Sequence, residues 1–163
     1  MINEKRTVII RDAELHWAKL GKPVAPFGTL QWEIQMRTKN KATAEAWKKE
    51  YYLPVKTEND DDEGTYYKVN LKRKAVTKDG KDNTPPEVVN GAKQPIDSNS
   101  IGNGSVGNVM IFQYPYDVAG RKGVSSILSK VQVIDHKVYT PNSSIDFDLA
   151  DDVDVPEEAG TDF

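Results

Sequence analysis

Apolar and polar residues alternate over long stretches of this chain, and the alternation predicts strands. Residues 28–37 place their apolar side chains on one face of an extended chain and their polar side chains on the other. Residues 66–76 repeat the pattern, and further apolar runs predict strands that begin at residue 8 and extend over residues 109–114 and 124–139. A period of two over such lengths is typical of half-buried strands. The predicted core faces of the two longest patterns are Leu30, Trp32, Ile34 and Met36, and Tyr67, Val69 and Leu71.

One segment, residues 41–52, has the spacing of a helix. Ala44, Trp47 and Tyr51 fall along one side, Thr43 is a candidate cap, and Pro54 lies beyond the end. We expect loops at the acidic residues 58–64, at residues 77–108 apart from a short pairing near 87–89, and a turn at 114–117. Four or five strands with one helix predict a mainly β protein, a small closed or partly open barrel with long loops. Periodicity alone leaves a small β-sandwich as the alternative.

Charge is strongly segregated along the sequence. All 22 Lys and Arg lie in residues 1–139 together with 17 of the 25 acidic residues, so this body carries a charge of +5. Residues 140–163 carry the other eight acids and end in Phe163. Blocks of like charge are typical of disordered interaction tails. We therefore predict one domain over 1–139 and a flexible acidic tail over 140–163. The candidate partner-binding residues of the tail are Asp151, Asp152, Asp154, Glu157, Glu158, Asp162 and Phe163.

Composition and motifs argue against catalysis and against a bound cofactor or metal. The sequence has no Cys, which removes thiolate nucleophiles and Cys-based zinc sites, and it has no run as long as a membrane span. Residues 102–107 match G-x-G-x-x-G, but a loop precedes them and an apolar β-like run follows, which favours a glycine turn. A calcium loop starting at Asn59 lacks its final Glu, and His16 and His136 belong to no ligand pattern. A protein of a reducing cytoplasm is the simplest interpretation.

Aromatic and basic residues interleave on the predicted strands. Single-stranded nucleic acid is bound by this combination, because cations follow the phosphates and aromatic faces stack on unpaired bases. The alternative is that the lysines only keep a strand face in water and that the tyrosines pack in the core. The candidate nucleic-acid-binding residues are Arg37, Lys39, Tyr66, Lys68, Lys72, Arg73, Lys74, Phe112, Tyr114, Tyr116, Arg121 and Lys122.

Most of residues 27–163 also resembles the single-stranded DNA-binding proteins of tailed bacteriophages. The resemblance lies in the glycine-rich residues 101–109, in Tyr-Pro-Tyr-Asp at 114–117, in residues 121–125 and 131–134, and in the acidic residues 151–163 with their terminal aromatic residue. It implies an OB-fold with an acidic C-terminal tail. It also implies a non-catalytic protein, in the cytoplasm of an infected bacterium, that coats single-stranded DNA during replication, recombination and repair.

In this family the tail is thought to shield the DNA site and in some members to bridge the protomers of a homodimer. The resemblance also implies that the tail recruits the phage DNA polymerase and primase-helicase. Two other functions stay open from the residues alone. One is an OB-fold or sandwich module that binds a basic protein through its tail, and the other is a metal-dependent nuclease.

Overall fold

The computed structural model describes residues 2–139, in which seven strands and one helix are found. The predicted tail, residues 140–163, lies outside the described residues. The elements are β1 (Arg6–Val24), β2 (Gln31–Thr38), α1 (Lys41–Lys49), β3 (Lys56–Asp60), β4 (Gly64–Lys74), β5 (Glu87–Asn90), β6 (Ser105–Val118) and β7 (Arg121–Asp135).

All seven strands belong to one curled sheet. Its order is β3-β4-β2-β1-β6-β7-β5, and every neighbouring pair is antiparallel except β5 and β7, which are parallel. The edge strands β3 and β5 are not paired with each other, so the barrel is partly open. Within residues 2–139 no helix is long and apolar enough to cross a membrane. The seven-stranded, partly open sheet with one helix confirms the predicted mainly β, OB-fold-like architecture.

The core lies inside the curl of the sheet, where alternate residues of each strand meet. Ile34 and Met36 of β2 and Val69 and Leu71 of β4 are buried there, as the period-two patterns predicted. Alternation works as a signal because successive side chains on a strand point to opposite faces. The inward residues of the remaining long strands are Ile10, Ala13, Leu15, Leu20, Val109, Ile111, Leu128, Val131 and Val133.

Helix α1 covers one end of this core. Its buried side is formed by Ala44 and Trp47, and Trp47 belongs to the core cluster. The cap is Asn40, whose side-chain oxygen accepts a hydrogen bond from the backbone N–H of Thr43 at 2.9 Å. Thr43, the predicted cap, is thus the residue that the cap binds. The helix ends at Lys49, three residues before its predicted end.

Other boundaries also differ from the sequence prediction. The expected turn at 114–117 is wrong, because these residues continue β6 and the chain reverses at Ala119 and Gly120, both with positive φ. The expected acidic loop is partly wrong, because Lys56–Asp60 pairs with β4 as an edge strand. Strand β2 begins at Gln31, so Leu30 is exposed instead of belonging to the core. Sequence periodicity missed these points because edge strands and exposed hairpin ends have no buried face.

The long strand β1 joins the two halves of the sheet and bends at two bulges. It pairs with β6 through its first half and with β2 through its second half. The register slips between Ile10 and Ala13 and between His16 and Lys19, and the pairing with β2 is irregular again between Lys19 and Val24. At each of the first two slips one residue adopts a positive φ, 56° at Asp12 and 50° at Trp17. Bulges of this kind increase the local twist and re-aim a side chain.

The burial of Trp32 predicts a large loss of stability on truncation. Trp32 is 6% exposed, and its indole N–H donates to the carbonyl of Gly21 at 3.2 Å. We expect Trp32→Ala to lower the free energy of unfolding by about 3–5 kcal/mol, because a large buried ring is lost and a cavity remains. Urea unfolding followed by circular dichroism measures this.

The matched control is Trp17→Ala, since Trp17 is 55% exposed. We expect that change to stay within roughly 1 kcal/mol of the wild type. Equal unfolding midpoints for the Trp32 variant and the wild type would contradict the assignment of Trp32 to the core.

Candidate nucleic-acid interface

The outer face of β2 and β4 forms the floor of a groove of about 650 Å³. We call it the β2–β4 groove. It is open to solvent, and its walls are raised by residues 17–29, which lead from the second bulge of β1 into the turn before β2. Its lining residues are Trp17, Pro26, Phe27, Thr29, Gln31, Glu33, Ile34, Gln35, Asn70, Leu71, Lys72 and Lys74.

Trp17 lines the groove because of the bulge at its own backbone. Its φ of 50° lies in the left-handed region, which is unusual for a bulky residue. The side-chain oxygen of Asn103 accepts the Trp17 backbone N–H at 2.8 Å and so satisfies a donor that has left the strand ladder. Asn103 belongs to the glycine-rich loop before β6. The motif at 102–107 is therefore a turn that leads into β6, and one of its side chains positions an exposed indole.

Phe27 is the most exposed aromatic side chain of the groove. It is 95% exposed, in a turn closed by the Gly28 N–H donating to the Ala25 carbonyl at 3.3 Å. Pro26 before it and Gly28, with a φ of 91°, suit the first and last corners of such a turn. Phe27 is not among the binding residues predicted from the sequence. A usable signal existed, because an aromatic residue between Pro and Gly in a turn has no strand face on which to pack.

Two of the predicted cations, Lys72 and Lys74, line the groove directly. Among the described residues neither forms an ion pair, whereas Lys68, further along β4, is paired with Glu58 at 3.0 Å. Lys39 is exposed just beyond the end of β2. The free positive charge in the groove therefore comes from Lys72 and Lys74.

Arg37 lies under a tyrosine instead of facing solvent. It is 8% exposed, and its guanidinium carbon lies 4.4 Å from the centre of the Tyr66 ring. Its Nε donates to Gln35 at 2.6 Å, and Glu63 approaches its Nη1 to 3.9 Å. This arrangement fixes the ring of Tyr66 from below by a cation–π contact. Arg37 thus acts through Tyr66, and the face of the ring away from the guanidinium is the part that a base can reach.

The turn between β3 and β4 carries Glu63 and is held by Asp60. The backbone N–H groups of Glu63 and Asp62 donate to one carboxylate oxygen of Asp60 at 2.9 and 2.8 Å. These hydrogen bonds lower the pKa of Asp60, with a smaller contribution from the charges of Arg37 and Lys39. The carboxylate therefore stays ionised at neutral pH and keeps the turn in place beside Arg37.

Arg73 points away from the groove and holds a loop. Its guanidinium donates to the carbonyl and hydroxyl of Thr84 at 2.7 and 3.1 Å and to Asn83 at 3.2 Å. It also reaches the carbonyl of Leu128 on β7 at 3.5 Å, across the open side of the barrel. Its guanidinium is already engaged by protein oxygens, so Arg73 ties the loop after β4 to the far strand.

The remaining predicted residues lie on the β6–β7 hairpin, with β1 and β2 between them and β4. Phe112 and Tyr114 are half-buried on its outer face, with ring centres 6.2 Å apart. Tyr116 is exposed and lies against Gly123, where an added Cβ would clash with its hydroxyl oxygen. Arg121 and Lys122 are exposed near the tip. The structure thus separates the predicted residues on or next to β2 and β4 from those on this hairpin.

The described part of the chain has no group of three or more His, Asp or Glu side chains that would hold a metal ion. No protein-family model matches the sequence, and no curated protein matches it with significant sequence similarity.

Solved structures do match the fold. The single-stranded DNA-binding protein from bacteriophage Enc34 in complex with ssDNA superposes with a TM-score of 0.55 at 15% identity, over 80% of this chain and 87% of that chain. A second structure of that phage protein gives a TM-score of 0.55 at 16% identity, over 86% of this chain and 90% of that chain. Likeness at this identity shows a shared fold. The fold that the sequence resemblance implied is confirmed.

The hydrogen bonds of Arg73 predict a structural phenotype for its removal. We expect Arg73→Ala to lower the free energy of unfolding by about 1–3 kcal/mol, because bonds from a charged donor are lost. Lys72→Ala, its neighbour on the groove side, is the control and should change stability by less than about 0.5 kcal/mol. Thermal unfolding of both variants measures the difference. Equal stability of the two would contradict the loop-holding role of Arg73.

Proposed function

We propose that residues 1–139 bind single-stranded DNA in the β2–β4 groove, without catalysis. One observation carries the proposal: two exposed aromatic side chains, Trp17 and Phe27, line the same groove as Lys72 and Lys74, two cations without an ion pair among residues 2–139. Exposed aromatic faces stack on unpaired bases, and lysines follow the phosphates. The fold is shared with a phage protein that was solved with ssDNA bound, which favours DNA as the ligand.

Tyr66 extends the proposed stacking surface beyond the groove. Its position on β4 is two residues before Lys68 on the same outward face, and Arg37 supports its ring from below. The hairpin residues Phe112, Tyr114, Tyr116, Arg121 and Lys122 are proposed contacts for a longer strand, which would have to cross β1 and β2 to reach them.

The proposed biological role is to protect and organise single-stranded DNA in phage replication, recombination and repair, in the cytoplasm of an infected bacterium. In this proposal the acidic segment 140–163 competes with DNA for the basic domain. It also recruits the phage DNA polymerase and primase-helicase, and the protein forms a homodimer. The charges of −8 on the segment and +5 on the domain support the competition.

Substitutions of the aromatic and of the basic residues are expected to weaken DNA binding in different ways. Phe27→Ala and Tyr66→Ala should each weaken binding of oligo-dT by about 1–3 kcal/mol, because one stacked base is lost. Lys72→Ala should weaken binding of every sequence alike and reduce the slope of log affinity against log salt by roughly one phosphate's worth. Quenching of intrinsic fluorescence in salt titrations measures both effects.

Lys130→Ala is the control for the lysine change, because Lys130 is paired with Glu87 on the far side of the sheet. It should leave the groove's affinity nearly unchanged. Fluorescence of the wild type that does not respond to any homopolymer at low salt would contradict the proposed function and favour the interaction-module alternative.

Deleting residues 140–163 is expected to tighten binding of single-stranded DNA at low salt. The tethered acids are a competitor whose effective concentration is in the millimolar range for a flexible tether. The gain should shrink as salt rises, because screening weakens the competition. Titration of full-length and truncated protein with oligo-dT at several salt concentrations measures it. The same affinity for both proteins at every salt concentration would show that the segment does not compete.

A further inference from the structure

The floor of the β2–β4 groove contains a carboxylate, which is unexpected where a polyanion binds. Glu33 lines the groove on β2, opposite Lys19 of β1 and opposite Lys72 of β4. Directly opposed residues on neighbouring strands place their side chains on the same face. Even so, Glu33 forms no ion pair with any cation of residues 2–139. Its contact is the amide of Gln31, which donates to one carboxylate oxygen at 2.9 Å.

A side-chain amide donor lies beside this carboxylate on the next strand. The oxygen of Asn70 accepts the Gln35 amide at 2.9 Å, and within the described chain its Nδ2 has no acceptor. Asn70 is diagonal to Glu33, because Glu33 is opposite Lys72 two residues further along β4. Diagonal neighbours are about 7–8 Å apart, a gap that the edge of a base can span. The floor therefore presents a charged acceptor and, diagonal to it, a donor without an acceptor among residues 2–139, in the groove that Trp17 and Phe27 also line.

This combination fits the edge of a base and repels a phosphate. A carboxylate accepts from an exocyclic amino group, and unpaired bases are read on their Watson–Crick edges. Guanine offers N1–H and N2–H together to a carboxylate and leaves O6 for an amide donor. Cytosine and adenine offer one amino group. Thymine offers a single N–H between two carbonyl oxygens. The partial negative charges of these oxygens repel the carboxylate.

We infer that Glu33 selects a base with an exocyclic amino group at one position of the bound strand, with guanine the best fit. The inference rests on the proposed function, since it requires a single strand in the groove. It changes the expected behaviour of the protein, because a binder that reads only phosphates and stacking would treat all bases at this position alike.

The experiment compares oligonucleotides that differ in one base. The probes are an oligo-dT of about 16 nucleotides, near the upper site size of one OB-fold, and the same strand with a single central dG, dC, dA or dI. Inosine keeps N1–H and O6 of guanine and lacks only the amino group. For the wild type we expect the dG strand to bind about fivefold or more tightly than oligo-dT, with the dI strand losing most of that advantage.

The matched variants are Glu33→Gln and Glu87→Gln. Glu87 is an exposed carboxylate on β5, at the far edge of the sheet, and its substitution should preserve the ratio between dG and dT strands. Glu33→Gln should reduce that ratio to about one, by weakening dG binding relative to dT. Circular dichroism shows whether each variant is folded, and the comparison of strands on the wild type tests the inference without any variant.

Each other outcome overturns the inference. Equal wild-type affinity for the dG, dI and dT strands removes base selection while leaving single-strand binding intact. A dG preference that survives in Glu33→Gln assigns the selection elsewhere. Equal tightening of all strands by Glu33→Gln shows that Glu33 acts only as a negative charge. Absence of binding to every strand overturns the proposed function itself, and this inference with it.

Discussion

The whole sheet depends on the bending of β1, which hydrogen-bonds to β6 with one half and to β2 with the other. The bend requires positive φ at Asp12 and Trp17, and such non-glycine residues cost about 1–3 kcal/mol each. Two asparagines on the glycine-rich loop and the start of β6 offset that cost. Asn108 accepts the Asp12 N–H at 3.1 Å, and Asn103 accepts the Trp17 N–H at 2.8 Å. The same loop thus shapes the barrel and places an aromatic side chain at the groove.

Several arginines of this protein form internal contacts, whereas two lysines lie at the groove. Arg6 donates to Gln113 and to the carbonyl of Glu50, Arg37 supports Tyr66, and Arg73 holds the loop after β4. A guanidinium suits these places because it directs several hydrogen bonds at once from a rigid plane. Lys72 and Lys74 keep compact, hydrated charges at the groove. The basic residues counted from the sequence as one class therefore divide into arginines that protein groups engage and Lys72 and Lys74, which form no ion pair within residues 2–139.

The floor of the β2–β4 groove also contains residues that are not basic. Gln31, Gln35 and Arg37 are on the outer face of β2, yet they are almost fully buried, and the ring of Tyr66 lies over the guanidinium of Arg37. Hydrogen bonds run from Arg37 to Gln35 and from Gln35 to Asn70. This network engages the amide of Gln35 and the oxygen of Asn70, and within residues 2–139 it leaves the Nδ2 of Asn70 without an acceptor.

The sequence by itself determined the mainly β class, the inward faces of β2 and β4, the helix near residue 41 and the separation of charge between residues 1–139 and 140–163. These features are local, because periodicity, caps and charge runs are properties of neighbouring residues. Only the tertiary structure decided that Arg37 and Arg73 are engaged internally, that Phe112 and Tyr66 lie on different parts of the sheet, and that Trp17, Phe27 and Glu33 share a groove. Those outcomes depend on which strands pair, in which register, and on where β1 bends. Strand pairing, register and the position of the bend all depend on contacts between residues far apart in the chain. A local sequence pattern therefore does not reveal them.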